Sequence, residues 1–162
     1  MTARRYLEPF QWEIRSAEPG EIPRIELTGC LDENARLDEL DSEITGPVCF
    51  VTSNLQRVNS MGLGKMFRFM QRIADRGPHR MAQCSPSFVR ALNMLPVMAR
   101  FCRVDSVMTA FLCPECEHEG SFEVATPSAD VELPRPECPE CGTSMELDES
   151  PGSYFRFARF RK

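Results

Sequence analysis

Two identical tetrapeptides, Cys113-Pro-Glu-Cys116 and Cys138-Pro-Glu-Cys141, constrain this chain more than any other feature. Each places two thiols three residues apart on a tight turn, so that both sulfurs can reach one metal ion. Two such pairs are the usual ligand set of a closed structural zinc site. The spacing therefore predicts a structural, tetrahedral Zn²⁺ site in a zinc ribbon. Because four thiolates fill the coordination shell, no position remains for a catalytic water.

Two other interpretations of these cysteines stay open. The first is a pair of disulfides; against it, residues 1–6 are polar rather than an apolar signal segment, and cytoplasmic thiols stay reduced. We therefore expect a cytoplasmic protein. The second is that His118 replaces one cysteine as a ligand. The remaining cysteines stand singly among apolar residues, which predicts core packing: Cys30, Cys49, Cys84 and Cys102.

The charge distribution argues against nucleic acid as the partner of the predicted ribbon. The chain has 162 residues and a net charge of -5, and no apolar run approaches the length of a membrane span, so we expect no membrane association. Between Cys113 and Ser150 the acidic residues far outnumber the single base, Arg135. A ribbon that binds phosphates would need the opposite sign.

Hydrophobic periodicity predicts helices that alternate with strands. Strands are expected over 10–16, 22–28, 48–51, 79–85 and 102–112, and helices over 32–44, 62–76 and 86–95. Such alternation implies crossover connections and a mostly parallel sheet. The predicted fold class is an α/β sandwich with a mostly parallel mixed sheet and helices, plus a small zinc ribbon. The predicted domains are residues 1–112 and the ribbon extension 113–162, rigidly joined because no linker separates them.

The helix predicted over 62–76 has an apolar face and a basic face. Its expected core stripe is Leu63, Met66, Phe67, Met70, Ile73 and Ala74. The opposite face carries Lys65, Arg68, Arg72 and Arg76, with Phe69 at its margin. A basic row of this kind is either a solvated face or a docking surface for an acidic partner.

Four short segments together resemble the STAS domain over residues 8–112. They are 29–32 (Gly-Cys-Leu-Asp), 48–51 (Val-Cys-Phe-Val), 58–63 (Val-Asn-Ser-Met-Gly-Leu) and 85–89 (Ser-Pro-Ser-Phe-Val). The STAS family includes anti-sigma-factor antagonists and the cytosolic parts of sulfate transporters. The whole chain also looks like a bacterial subgroup in which such a domain carries a CxxC…CxxC ribbon and a Tyr-Phe-x-Phe tail, here residues 154–157.

The resemblance implies a protein partner but departs from the family at its switch. In the family, an Asp-Ser-Ser-Gly-Leu motif opens a helix, and a partner kinase phosphorylates the second serine. Here Asn59 replaces the aspartate and Met61, which has no hydroxyl, occupies the phosphoacceptor position. Ser60 is the remaining candidate for phosphorylation, since a helix N-terminus favours a phosphate. The alternative for Asn59 and Ser60 is simple helix capping.

Three functions are compared. The first is a non-catalytic bacterial regulatory or scaffold protein that binds a regulatory kinase, an anti-sigma factor or another signalling protein. Its predicted partner surface is Asn59, Ser60, Met61, Lys65, Arg68, Phe69 and Arg72. The second is a nucleic-acid binder that uses a basic, aromatic tail, formed by Arg156, Arg159, Arg161, Lys162, Phe155, Phe157 and Phe160. The alternative for the three phenylalanines is that they pack inward against the ribbon or the sheet. An enzyme is the third and least supported, since the sequence has no evident nucleophile–base pair. Homo-oligomerisation stays open.

Overall fold

The computed structural model describes residues 7–15, 17–126 and 131–160. The strands are β1 (Gln11–Arg15), β2 (Arg24–Leu31), β3 (Cys49–Val58), β4 (His79–Ala82), β5 (Cys102–Val104), β6 (Ser106–Leu112), β7 (Glu119–Ala125) and β8 (Glu146–Leu147). The α-helices are α1 (Leu37–Glu43), α2 (Ser60–Ile73), α3 (Pro86–Met94) and α4 (Pro151–Tyr154). Three 3₁₀ segments cover Ala74–Arg76, Pro96–Arg100 and Arg156–Phe160.

The first sheet has five strands in the order β1-β2-β3-β4-β5. β1 is antiparallel to β2. The pairs β2–β3, β3–β4 and β4–β5 are parallel, and α1, α2 and α3 are their crossover connections. The register aligns Ile25, Phe50, Met81 and Val104 in one row across the sheet, and all four are buried. The α/β class with a mostly parallel mixed sheet is confirmed.

The second sheet has three antiparallel strands in the order β7-β6-β8. It joins the first sheet directly: Cys84, just beyond β4, forms a parallel bridge to Val107 of β6. The Met108 amide donates to the Cys84 carbonyl at 2.8 Å. Backbone hydrogen bonds therefore connect the two sheets, and the domain boundary at residue 112 stays a prediction.

The single strand predicted over 102–112 is wrong, because Asp105 divides it. The Asp105 amide donates to the carbonyl of Met81 in β4 at 2.7 Å. The Asp105 carbonyl accepts from the amide of Thr126, beyond β7, also at 2.7 Å. One residue thus satisfies its donor in the first sheet and its acceptor in the second, and the chain changes sheets there.

Several other predicted boundaries also differ. The helix expected over 32–44 covers only Leu37–Glu43, and β3 continues to Val58 beyond the predicted 48–51. β2 passes through Gly29 and continues to Leu31, beyond the predicted end at residue 28. Gly29 has φ +77°, and a Cβ there would lie 2.1 Å from the carbonyl oxygen of Pro9. This glycine serves a close approach between two chain segments rather than a strand end.

The burial of Phe69 corrects the faces assigned to α2. Phe69 is fully buried and packs edge-on against Phe50 of β3, with ring centroids 5.9 Å apart. Successive residues of a helix are about 100° apart around its axis, so Phe69 and Leu63 each lie about 60° from the buried Met66, on opposite sides of it. Phe67, which we expected in the core, lies about 100° from Met66 around the same axis. It is half-buried against Phe101.

Candidate metal centre and the amino end of helix α2

The two tetrapeptides bring four sulfurs together at one end of the second sheet. Cys113 Sγ lies 3.4 Å from Cys141 Sγ, and Cys116 Sγ lies 3.5 Å from Cys138 Sγ. All four sulfurs lie within 4.8 Å of one another. Tetrahedral Zn²⁺ with Zn–S bonds of about 2.3 Å needs sulfurs about 3.8 Å apart, whereas a disulfide needs about 2.05 Å. The separations fit a shared metal ion, and all eight cysteines are free thiols.

The two cysteine turns repeat the same backbone hydrogen bonds. The Cys113 amide donates to the His118 carbonyl and the Cys138 amide to that of Thr143, both at 2.9 Å. The fourth residue after each first cysteine has positive φ: +58° at Glu117 and +75° at Gly142. The two identical tetrapeptides therefore adopt the same turn, and each turn directs its two sulfurs toward the other turn.

Hydrogen bonds from nearby groups affect the acidity of the outer thiols. The Thr143 hydroxyl and amide donate to Cys141 and lower its pKa to about 6. The His118 amide likewise lowers the pKa of Cys116, but hydrogen bonds with Cys138 and the other thiols raise it, to about 12 overall. Amide and hydroxyl donors of this kind also orient and stabilise metal-bound thiolates.

The other cysteines and His118 lie outside the sulfur cluster. Cys30, Cys49, Cys84 and Cys102 are buried, so the prediction of core packing is confirmed. His118 takes part in the first turn through its backbone, and the cluster consists of cysteines alone. The signal that sequence reasoning missed is Thr143, whose hydroxyl supports Cys141 from the position that follows Gly142.

Asn59 caps α2 and fixes it to the loop after β2. Its Oδ1 accepts from the Gly62 amide at 2.8 Å, and its Nδ2 donates to Glu33 Oε2 at 2.9 Å. Asparagine can make both bonds because its side chain is both acceptor and donor. The hydrogen bond from Asn59 is the main cause that lowers the pKa of Glu33. Ser60 follows as an exposed first helical residue, and Met61 is 59% exposed.

Part of the predicted partner surface makes contacts within the fold instead. The Lys65 ammonium donates to the carbonyls of Glu33 and Ala35. Arg72 forms ion pairs with Asp38 and Asp41 of α1. Together with the buried Phe69, these residues support the fold, so the expectation of an outward-facing Phe69 is wrong. Ser60, Met61 and Arg68 remain at the surface beside the half-buried cap Asn59, and Arg72 is also exposed but is held by its ion pairs with α1.

The aromatic tail folds back onto α3. Phe155 and Phe157 are buried, whereas Phe160 is 43% exposed. The Asn93 side chain donates to the Tyr154 carbonyl at 2.9 Å and accepts from the Phe157 amide at 2.8 Å. Inward packing, the alternative reading of the tail, therefore describes two of its three phenylalanines. Arg161 and Lys162 lie outside the described residues.

No family model matches this chain, and no curated protein matches it in sequence. Within the described residues, no helix combines the length and apolar character that crossing a bilayer requires.

Proposed function

We propose that this protein is a non-catalytic regulatory or scaffold protein that binds another protein through a STAS-like domain. The proposed contact is the amino end of α2, where the exposed side chains of Ser60 and Met61 stand on a capped helix. Met61 carries this proposal: a 59% exposed methionine at a helix end is an adaptable apolar contact on a rigid support. The sequence resemblance and the α/β topology favour the same surface.

We further propose that the ribbon binds Zn²⁺ as a structural ion. The support is the donor set, since soft thiolates with tetrahedral spacing suit zinc. Metal binding of this kind contributes directly to folding, because the unfolded chain has no preformed site. The ion would hold β6 and the two cysteine turns together and so maintain the second sheet.

Affinity capture from the native cell, read out by mass spectrometry, tests the proposed surface. Met61→Glu is the test variant and Gln71→Glu the control, because both residues are exposed on α2 and both changes add one negative charge. An acid in the first helical turn favours the helix, so Met61→Glu should stay folded. We expect a partner that wild type and Gln71→Glu retain and Met61→Glu loses. Equal recovery by all three proteins would reject this surface.

A further inference from the structure

A cleft of about 280 Å³ opens between the amino end of α2 and one face of α3. On α3 it is lined by Ser87, Arg90, Ala91 and Met94, the helical spacing of a single face. On the α2 side it is lined by Ser60 and Leu63, and Arg57 at the end of β3 completes its rim.

The cleft floor is apolar and its upper edge exposes a large apolar side chain. Leu63 and Ala91 are largely buried beneath it, whereas Met94 is 71% exposed. Met61, also exposed, follows the lining residue Ser60. A methionine adapts its shape to different apolar side chains, as binding surfaces require.

The rim has the opposite charge to the protein as a whole. Arg57 and Arg90 face a cleft in a chain whose net charge is -5. Within the part of the chain that the structure describes, Arg57 makes no ion pair within 4 Å, although its charge is one of the causes that lower the pKa of the nearby Glu33. Arg90 makes one weak pair, 3.6 Å from Glu149, with both side chains well exposed. Glu149 thus pairs with Arg90 only weakly, and a carboxylate of a partner can take its place.

From this complementarity we infer that the cleft binds an acidic segment of a partner protein that carries one large apolar side chain. The apolar side chain packs on Leu63, Ala91 and Met94, and carboxylates on the same segment pair with Arg57 and Arg90. The amino ends of α2 and α3 add a favourable field for negative charge. This inference rests on the proposed function, because it specifies the partner chemistry beside the proposed α2 surface.

Selection from a phage-displayed library of random 12-residue peptides, against the full-length zinc-loaded protein, tests the inference. We expect enrichment of peptides that combine several acidic residues with a large apolar one. Arg57→Gln/Arg90→Gln should weaken such a peptide at least tenfold by fluorescence anisotropy, and Met94→Gln should weaken it measurably. The control Arg24→Gln/Arg100→Gln removes the same charge from exposed positions outside the cleft and should change affinity less than twofold.

Several results would overturn the inference. These are no enrichment of acidic peptides, equal losses in the test and control variants, or tighter binding of single-stranded oligothymidine through the same arginines. Thermal unfolding and zinc content show whether each variant is folded. If peptides fail here while Met61→Glu still abolishes native partner capture, the cleft inference falls and the proposed function stands. If Met61→Glu has no effect in that capture, the proposed surface falls instead.

Discussion

Glu117 and Gly142 occupy equivalent positions in the two cysteine turns but differ in how easily they adopt them. Both have positive φ, +58° and +75°. Glycine adopts this region freely, whereas a residue with a Cβ is strained there by about 1–2 kcal/mol. The first turn therefore retains a strain that the second avoids.

Replacing Glu117 by glycine should stabilise the zinc-loaded protein by about 0.5–1 kcal/mol, because relief of strain exceeds the added chain entropy. Glu117→Gln is the charge control and should leave stability nearly unchanged. Gly142→Ala should lose about 1 kcal/mol, since the site has open space but an unfavourable φ. Thermal unfolding at fixed zinc concentration measures all three. A destabilised Glu117→Gly would contradict the strain argument.

Residue patterns predicted the cluster of four cysteines well and the face of α2 poorly. Cysteine spacing predicts four ligands because the ligand chemistry is local to each turn. The face of Phe69 depends on how wide a stripe the sheet covers, and the periodicity of one helix does not report that width. The strand change at Asp105 likewise depends on partners in β4 and after β7, which are distant in sequence.

At the scale of elements, α2 approaches β2 closely because residue 62 has no side chain. A Cβ at Gly62 would lie 2.0 Å from the Leu31 carbonyl oxygen, a backbone atom that cannot move alone. Gly64, two residues later in the same helix, has only an Arg68 side-chain atom at 3.8 Å. The two glycines therefore form a matched pair.

Gly62→Ala should destabilise the protein by about 2 kcal/mol, because the clash outweighs the gain in helix propensity. Gly64→Ala should stabilise it by about 0.5–1 kcal/mol through propensity alone. Chemical denaturation of both variants measures the difference. Similar effects from the two substitutions would show that the close approach of α2 to β2 is unimportant.

Helices α1 and α2 are joined through one carboxylate. Asp41 pairs with Arg72 at 2.5 Å and Arg76 at 2.7 Å, and the hydrogen bond from Arg72 is the main cause that lowers its pKa. A lowered folded-state pKa means that the ionised form stabilises the fold. That stabilisation is fully present above the unfolded pKa of about 3.9 and disappears as pH falls through the lower folded value.

Asp41→Asn should therefore cost about 1 kcal/mol at pH 7, a value reduced because both arginines are partly exposed to solvent. The difference from wild type should shrink as pH falls below about 4. Asp38→Asn is the control, since Asp38 contacts the same Arg72 but is 94% exposed. Unfolding curves from pH 2 to 7 test this, and a constant difference at every pH would contradict it.

At the scale of the whole molecule, the proposed metal ion supports the second sheet. Cys113→Ser should abolish stoichiometric zinc binding and disorder the second sheet, because binding free energy contributes to folding at such sites. Cys30→Ser lies outside the cluster and should retain one zinc per chain. Elemental analysis and amide hydrogen exchange measure both effects. Absence of zinc from protein purified without chelator would reject the zinc assignment.

The hydrogen bonds of Asn93 attach the aromatic tail, residues 154–157, to α3. Asn93→Ala leaves the Phe157 amide and the Tyr154 carbonyl without their side-chain partner and should cost about 2 kcal/mol. Trypsin should then cleave after Arg156 much faster than in wild type. Asn93→Asp keeps the acceptor but loses the donor, so its cleavage rate should be intermediate. Unchanged cleavage of both variants would rule out this anchor.

The return of the tail to α3 also determines how this protein carries a mechanical load. A pull on Phe160 first meets the buried Phe157 and the hydrogen bonds of Asn93. Cys141 precedes the tail in the sequence, so a force applied at Phe160 reaches Cys141 only after the tail has detached from α3. Single-molecule extension from that end should therefore show tail release as the first and weaker event, with the sulfur cluster yielding later.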